Sequence, residues 1–220
     1  MDCLFPVRCT AGNQSERIPS TRWNEALTFL RATRADTSRV GAIAPSGPTL
    51  TRLMTRDIGR HSGLVVELGP GTGVFTRALL KQGVREKDLT LVECCQEFAL
   101  MLREKFPEAR VLQMDAERLH RHEPFLEGGV GAIVSGLPLL NMSPSSVLRI
   151  LRGAFQWIRP SGAFYQFTYG PRCPVPKRCL ERLGLSASCT GRTLVNLPPA
   201  SVYRIWKSAG DLDRSSASCN

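Results

Sequence analysis

A chain of 220 residues with 42% hydrophobic and 22% charged residues has the make-up of a globular protein and the length for one sizeable core, which excludes a disordered chain. No window approaches 18 uninterrupted apolar residues, so a membrane-spanning helix is not expected. The net charge of +10 is concentrated late: between Arg149 and Lys207 ten basic residues stand against one acid, Glu181, a balance of +9 that attracts nucleic acid or an anionic membrane surface.

In chain order, residues 1–20 hold Gly12, Asn13, Ser15, Pro19 and Ser20 with little apolar content and read as a flexible arm. Its start, Met1 to Pro6, has an early acid and no apolar run of signal-peptide length, so a cytosolic address is expected. Residues 21–60 form a second segment. Trp23, Ala26, Leu27 and Leu30 recur at i, i+3, i+4 and i+7, with Arg31 and Arg34 on or beside the stripe. That spacing predicts a basic amphipathic helix, which either docks on the rest of the chain or lies in a lipid interface. Pro45 to Pro48 is expected to be loop, and a short helix over Thr49 to Ile58 follows.

From residue 61 to 208 short apolar strands alternate with helices. Strands are predicted at Leu64–Leu68, Asp88–Glu93, Ala109–Gln113, Val130–Ser135, Ala163–Tyr169, Leu185–Asn196 and Ser201–Lys207. Helices are predicted at Gly73–Lys81, Gln96–Phe106, Ser143–Trp157 and Pro176–Leu183, the third opened by Pro144 in its first turn. The alternation implies parallel βαβ units, hence an α/β, Rossmann-like, doubly wound sheet of seven strands with an antiparallel last strand. The Ser-rich tail, 209–220, reads as frayed. The eight cysteines include no CxxC pair and no nearby His, so reduced thiols and no metal site are expected.

The chemistry sits where the first strand hands over to a helix. Glu67-Leu68-Gly69-Pro70-Gly71-Thr72-Gly73 lets the backbone turn sharply and approach a ligand closely. A dinucleotide-binding turn would place its third glycine where Val74 stands, and has no use for an acid at the strand end. Glu67 suits a cationic ligand carrying an ammonium and a sulfonium, and S-adenosylmethionine fits that description. Glu93, twenty residues after Gly73 and at the end of the second strand, is placed to accept ribose hydroxyls. Asp115 follows the third strand and either takes the adenine amino group, with Met114 and Ala116 against the ring, or caps a helix.

Four blocks carry a more specific likeness: Glu67 to Thr76 (ELGPGTGVFT), Ser135 to Met142 (SGLPLLNM), Tyr165 to Pro174 (YQFTYGPRCP) and Asn196 to Trp206 (NLPPASVYRIW). With the upstream Val40 to Ser46, they resemble bacterial phospholipid N-methyltransferases of the rhizobial type, over about residues 22 to 207. The resemblance implies a class I S-adenosylmethionine-dependent fold that methylates the amino headgroup of phosphatidylethanolamine towards phosphatidylcholine. It implies that Glu67, Gly69, Gly71, Gly73, Glu93 and Asp115 hold the cofactor, under a loop from Ile43 to Ser46. It implies also that Trp23, Leu27, Leu30, Arg31 and Arg34 face anionic and phosphatidylethanolamine-containing lipid, at the inner face of a bacterial cell membrane.

That family is similar in layout to ribosomal RNA adenine dimethylases, which carry Asn-Leu-Pro-Tyr or Phe after the fourth strand to grip and stack an extruded base. Here the stretch is Gly136-Leu137-Pro138-Leu139, with neither amide nor aromatic ring, so an RNA substrate is disfavoured. An RNA methyltransferase and a non-catalytic lipid-binding protein on the same fold remain the rival readings. Tyr165, Tyr169 and Ser135 are the candidates to orient the amine or take its proton, with bulk water as rival acceptor. Ser135 also stands at the cofactor crevice, and Arg172, Lys177 and Arg178 at its rim.

Overall fold

The computed structural model describes residues 47–121, 129–194 and 199–208. Seven strands form one sheet: β1 (Leu64–Leu68), β2 (Leu89–Glu93), β3 (Arg110–Gln113), β4 (Val130–Ser135), β5 (Ile158–Tyr169), β6 (Leu185–Thr193) and β7 (Ala200–Lys207). Their order is β3-β2-β1-β4-β5-β7-β6. The first five strands pair in parallel, and β7 runs antiparallel to both β5 and β6. The strand order reverses between β1 and β4, and at such a switch point the connections leave in opposite directions, opening a crevice at the carboxyl ends.

Helices cover both faces: α1 (Pro48–Thr55), α2 (Val74–Lys81), α3 (Gln96–Lys105), α4 (Pro144–Trp157) and α5 (Lys177–Arg182). Alternation along the strands decides which side chain meets which helix. Val65, Ala132, Val134, Ala163 and Val202 point to one face, against Leu50 and Met54 of α1 and Phe75 and Leu79 of α2. Val66, Leu68, Ile133, Phe164 and Ile205 point to the other, against Val147, Ile150, Leu151 and Ala154 of α4. On α4 Val147, Ile150, Leu151 and Ala154 form a buried stripe at helical spacing, with Gly153, Phe155 and Trp157 buried beside it. Ser143 caps this helix by accepting a hydrogen bond from the Ser146 N–H.

Several boundaries differ from the sequence reading, most by a residue or two; α1 stops at Thr55, short of Ile58. Pro48 is not loop; it opens α1, where its fixed φ suits the helix and its missing N–H would have had no intrahelical partner. β5 begins at Ile158, not Ala163, because Arg159-Pro160-Ser161-Gly162 is carried within the strand beside a register shift opposite Val130 and Ala132. β6 is described to Thr193, and most of the remainder of the predicted strand lies outside the described residues. The predicted arm, amphipathic helix and tail also lie outside them. Among the described residues no helix is long and apolar enough to cross a membrane.

Candidate functional site

At the carboxyl end of β1 the chain turns through Gly69 to Gly73 before entering α2. The Gly69 N–H donates to the Val92 carbonyl at 2.9 Å, and the Gly136 N–H donates to the Leu68 carbonyl at 2.8 Å. Both contacts tie the turn to the ends of its neighbouring strands. Gly71 and Gly73 are glycines for different reasons. A Cβ on Gly71, at φ 53°, would meet nothing within 4 Å, so this residue borders open space where a ligand can lie against the backbone. A Cβ on Gly73, at φ 76°, would come within 2.7 Å of Phe106 Cε2. Gly73→Ala is therefore expected to cost about 2–4 kcal/mol, from left-handed strain and the ring contact together, read as a lowered urea midpoint.

Glu67 is fully buried and, by alternation, faces α2. Its Oε2 accepts from Thr76 Oγ1 at 2.6 Å, while Oε1 has no partner. Burial pushes its carboxyl from 4.5 up to about 8; the Thr76 hydrogen bond opposes this, the Glu93 charge adds to it, and Arg77 weakly opposes it. A buried acceptor without a donor is costly in the free protein. It is the feature expected of a carboxylate kept for a cation that arrives later.

Glu93 ends β2 almost buried and spans the mouth of the glycine turn. Its Oε2 accepts from the Gly71 N–H at 3.1 Å, and its Oε1 accepts from the Cys95 N–H at 2.9 Å. Each oxygen keeps lone-pair capacity for a further donor, so the carboxylate is both anchored and available to a diol. Asp115 follows β3, and the Met114 N–H reaches the Glu93 carbonyl at 3.0 Å, which sets these two strand ends side by side. Asp115 Oδ1 accepts from the Glu117 N–H at 2.9 Å and starts the 3₁₀ turn Ala116–Arg121. The capping role left open by the sequence is thus real, and it leaves the residue at the crevice. Ala116 is buried in the core beneath it.

The other candidates divide. Ser135 ends β4 fully buried, and its Oγ accepts from the Leu137 N–H at 3.3 Å, shaping the loop that follows. Tyr169 ends β5 half-exposed at the crevice edge, its ring edge-on to Phe167 with centroids 5.6 Å apart. Tyr165 is not at that edge. It is buried beneath α1, and Arg204, Asp57 and Arg56 are the charges that bear on its hydroxyl, burial being the larger influence and raising its pKa. Asp57 and Arg56 lie where the chain descends from α1 to enter β1 at its opposite end. Its ring belongs to the core, packed with Leu50 and Met54. Ile43 and Ser46 lie outside the described residues, as do Trp23, Leu27, Leu30, Arg31 and Arg34. Among the described residues no cluster of three potential metal ligands occurs.

Two polar residues escaped the sequence reading. Gln166 and Thr168 are 1% and 3% exposed on β5, and Gln166 Oε1 and Thr168 Oγ1 have no partners. The signal was there: two polar residues at period two on one face of a strand otherwise apolar enough to be central.

Comparison with known proteins agrees with this architecture. A methyltransferase domain family matches residues 65–162. The chain is 30% identical over 171 residues to the ornithine lipid N-methyltransferase of Singulisphaera acidiphila, covering 74% of this chain and 86% of that protein. It is 36% identical over 107 residues to the ribosomal RNA small subunit methyltransferase A of Erythrobacter litoralis, covering 46% of this chain and 37% of that one. The fold is similar to that of a TehB-like SAM-dependent methyltransferase from Corynebacterium glutamicum, with TM-score 0.58 and 15% identity over 84% of this chain and 99% of the other. The unpartnered Glu67 oxygen and the open side of Gly71 suit a cationic ligand that presses against the backbone. By the relative that spans most of its length, the chain belongs to the class I S-adenosylmethionine-dependent methyltransferases, and S-adenosylmethionine is its cofactor.

Proposed function

We propose that this enzyme transfers methyl groups to the amine of a membrane-lipid headgroup, with phosphatidylethanolamine and its methylated intermediates as substrates and phosphatidylcholine as the end of the series. The observation that carries the reading is the likeness to an ornithine lipid N-methyltransferase across most of that protein. The loop after β4 weakens the RNA alternative. A Cβ on Gly136 would lie 2.7 Å from the Gly69 carbonyl oxygen, so this backbone has no room for the amide that grips an extruded base.

In this reading the cofactor supplies a methyl group on a positively charged sulfur, activated for in-line attack. Glu67 holds its ammonium, Glu93 its ribose hydroxyls and Asp115 its adenine amino group, with Ile43 to Ser46 as cover. The neutral headgroup nitrogen forms the new N–C bond as the C–S bond breaks and the electron pair goes to sulfur; after the first and second transfers the product ammonium loses a proton to water, and the third leaves a quaternary ammonium. Most of the rate gain comes from holding nitrogen and methyl in line. Tyr169 borders the entrance, where a partly methylated ammonium can lie over the ring face. The Gly170-Pro171 turn just past it is pinned by Ser201 Oγ, which donates to the Gly170 carbonyl at 2.7 Å, and by the Tyr203 hydroxyl, which donates to the Pro171 carbonyl at 2.5 Å. Exposed Arg172, Lys177 and Arg178 follow the turn and meet lipid phosphate. Trp23, Leu27, Leu30, Arg31 and Arg34 hold the enzyme peripherally on the inner face of the cell membrane.

Labelled cofactor should place label in phosphatidylethanolamine vesicles containing anionic lipid, as mono-, di- or trimethylated headgroup. Raising salt from about 0.05 to about 0.5 M should weaken vesicle binding, because the attraction is between exposed charges. Label entering RNA and not lipid would overturn the reading. Label in ornithine lipid alone would keep lipid N-methylation and change the headgroup.

A further inference from the structure

Gln166 lies beside Ser135 in the β4–β5 register, level with the carboxyl end of β4. Alternation turns it to the same face as Phe164, away from Glu67 and Tyr165. Its Nε2 donates to the Leu137 carbonyl at 3.0 Å and to the Phe167 carbonyl at 2.9 Å. Two carbonyl partners fix which end of the amide is nitrogen, since the reverse orientation would press oxygen against oxygen. Oε1 therefore points away from both, buried and without a donor. Thr168, two residues nearer the open end of the strand, repeats the pattern with an unpartnered Oγ1.

The loop after β4 has no side-chain amide to offer at position 136. Gly136 has no space for a side chain, and the Leu137 carbonyl already receives both Gln166 Nε2 and the Leu139 N–H, the latter at 2.9 Å. Gln166 thus brings from β5 the amide that position 136 excludes, and its oxygen can take a donor without breaking any existing hydrogen bond.

We propose that Gln166 Oε1 accepts a hydrogen bond from the methyl-acceptor amine and so aims the nitrogen lone pair at the methyl group. The inference rests on the N-methylation reading and adds the residue that recognises the nucleophile. It carries a chemical signature. A neutral primary amine has two N–H groups, a secondary amine one and a tertiary amine none, so the contact exists only while an N–H remains.

Gln166→Met keeps the length of the side chain and removes its amide. With phosphatidylethanolamine and its mono- and dimethylated forms in vesicles, kcat/KM should fall about 10- to 100-fold on the primary amine, mainly through kcat. The loss should be smaller on the secondary amine and within about threefold of wild type on the tertiary one. Cofactor affinity, measured by calorimetry, should be unchanged and would show that the variant is folded. An equal loss on all three amines, or no loss on any, would overturn the assignment; the first would mean that Gln166 only braces the Leu137 loop. Wild-type enzyme that binds cofactor yet labels no lipid amine would instead sink the substrate reading, and this assignment with it.

Discussion

Glu67→Gln is expected to weaken S-adenosylmethionine binding by about 100-fold while making the folded protein more stable above pH 8. Both effects come from one buried carboxyl whose pKa is raised from 4.5 to about 8, chiefly by burial. Between those values the folded chain keeps a proton that the unfolded chain has released, so its contribution to stability is fully present below pH 4.5 and falls as pH rises. The loss is complete above about pH 8 and amounts to about 5 kcal/mol at most, at roughly 1.4 kcal/mol per pH unit. Glutamine does not titrate, so denaturation curves of the variant should lose this slope, and the two proteins should converge at acid pH.

Binding runs in the opposite sense. A cationic ligand beside the carboxyl favours its ionised form, so near pH 7 cofactor binding should release roughly 0.9 proton from Glu67. Calorimetry in two buffers of different ionisation heat reads this number directly, and affinity should rise with pH until about pH 8. Release of no proton, with affinity flat across that range, would remove Glu67 from contact with the cofactor's charge.

Gly136→Asn should be among the most damaging single changes. It introduces the amide that the adenine-dimethylase pattern carries at this place, but its Cβ would meet the Gly69 carbonyl oxygen 2.7 Å away. That oxygen is backbone of the glycine turn and cannot rotate aside as a side chain would. The expected cost is about 2–3 kcal/mol, or roughly 5–10 °C in Tm for a domain of this size. Cofactor affinity should fall too, because any relief moves the turn. No RNA methylation should appear. Appearance of RNA labelling in this variant would show that the loop after β4 is all that separates the two substrate classes, and that the lipid reading undervalues the fold's likeness to RNA enzymes.

The likeness between a lipid-modifying and an RNA-modifying relative in the comparisons has a physical basis. Both names point to a methyl acceptor that must be electron-rich to attack, so one bound methyl donor serves either. Discrimination then falls to the few groups that meet the nitrogen itself. In this chain the loop that serves that purpose elsewhere is occupied by its own packing: Leu137 fills the space beside Gly69, and Leu139 is buried in the core. The proposed contact comes instead from β5, where Gln166 and Thr168 lie.

By itself the sequence determined the order of the elements, the doubly wound sheet with its antiparallel end, and the cofactor. Each of these is written locally: in hydrophobic spacing, in the glycine turn, and in acids that close three successive strands. Tertiary structure decided what depends on which face a strand turns and which neighbours close around a side chain. Tyr165 and Gln166 are adjacent in sequence, yet alternation sends the first under α1 and the second to the loop after β4. Glu67 reads as an ordinary exposed acid, and only the structure shows its complete burial with one unpartnered oxygen, which pushes its pKa up. A glycine at position 136 looks like a simple loss of function until the Gly69 carbonyl is seen to occupy the space. Burial and close approach are properties of distant segments brought together, and no local pattern encodes them.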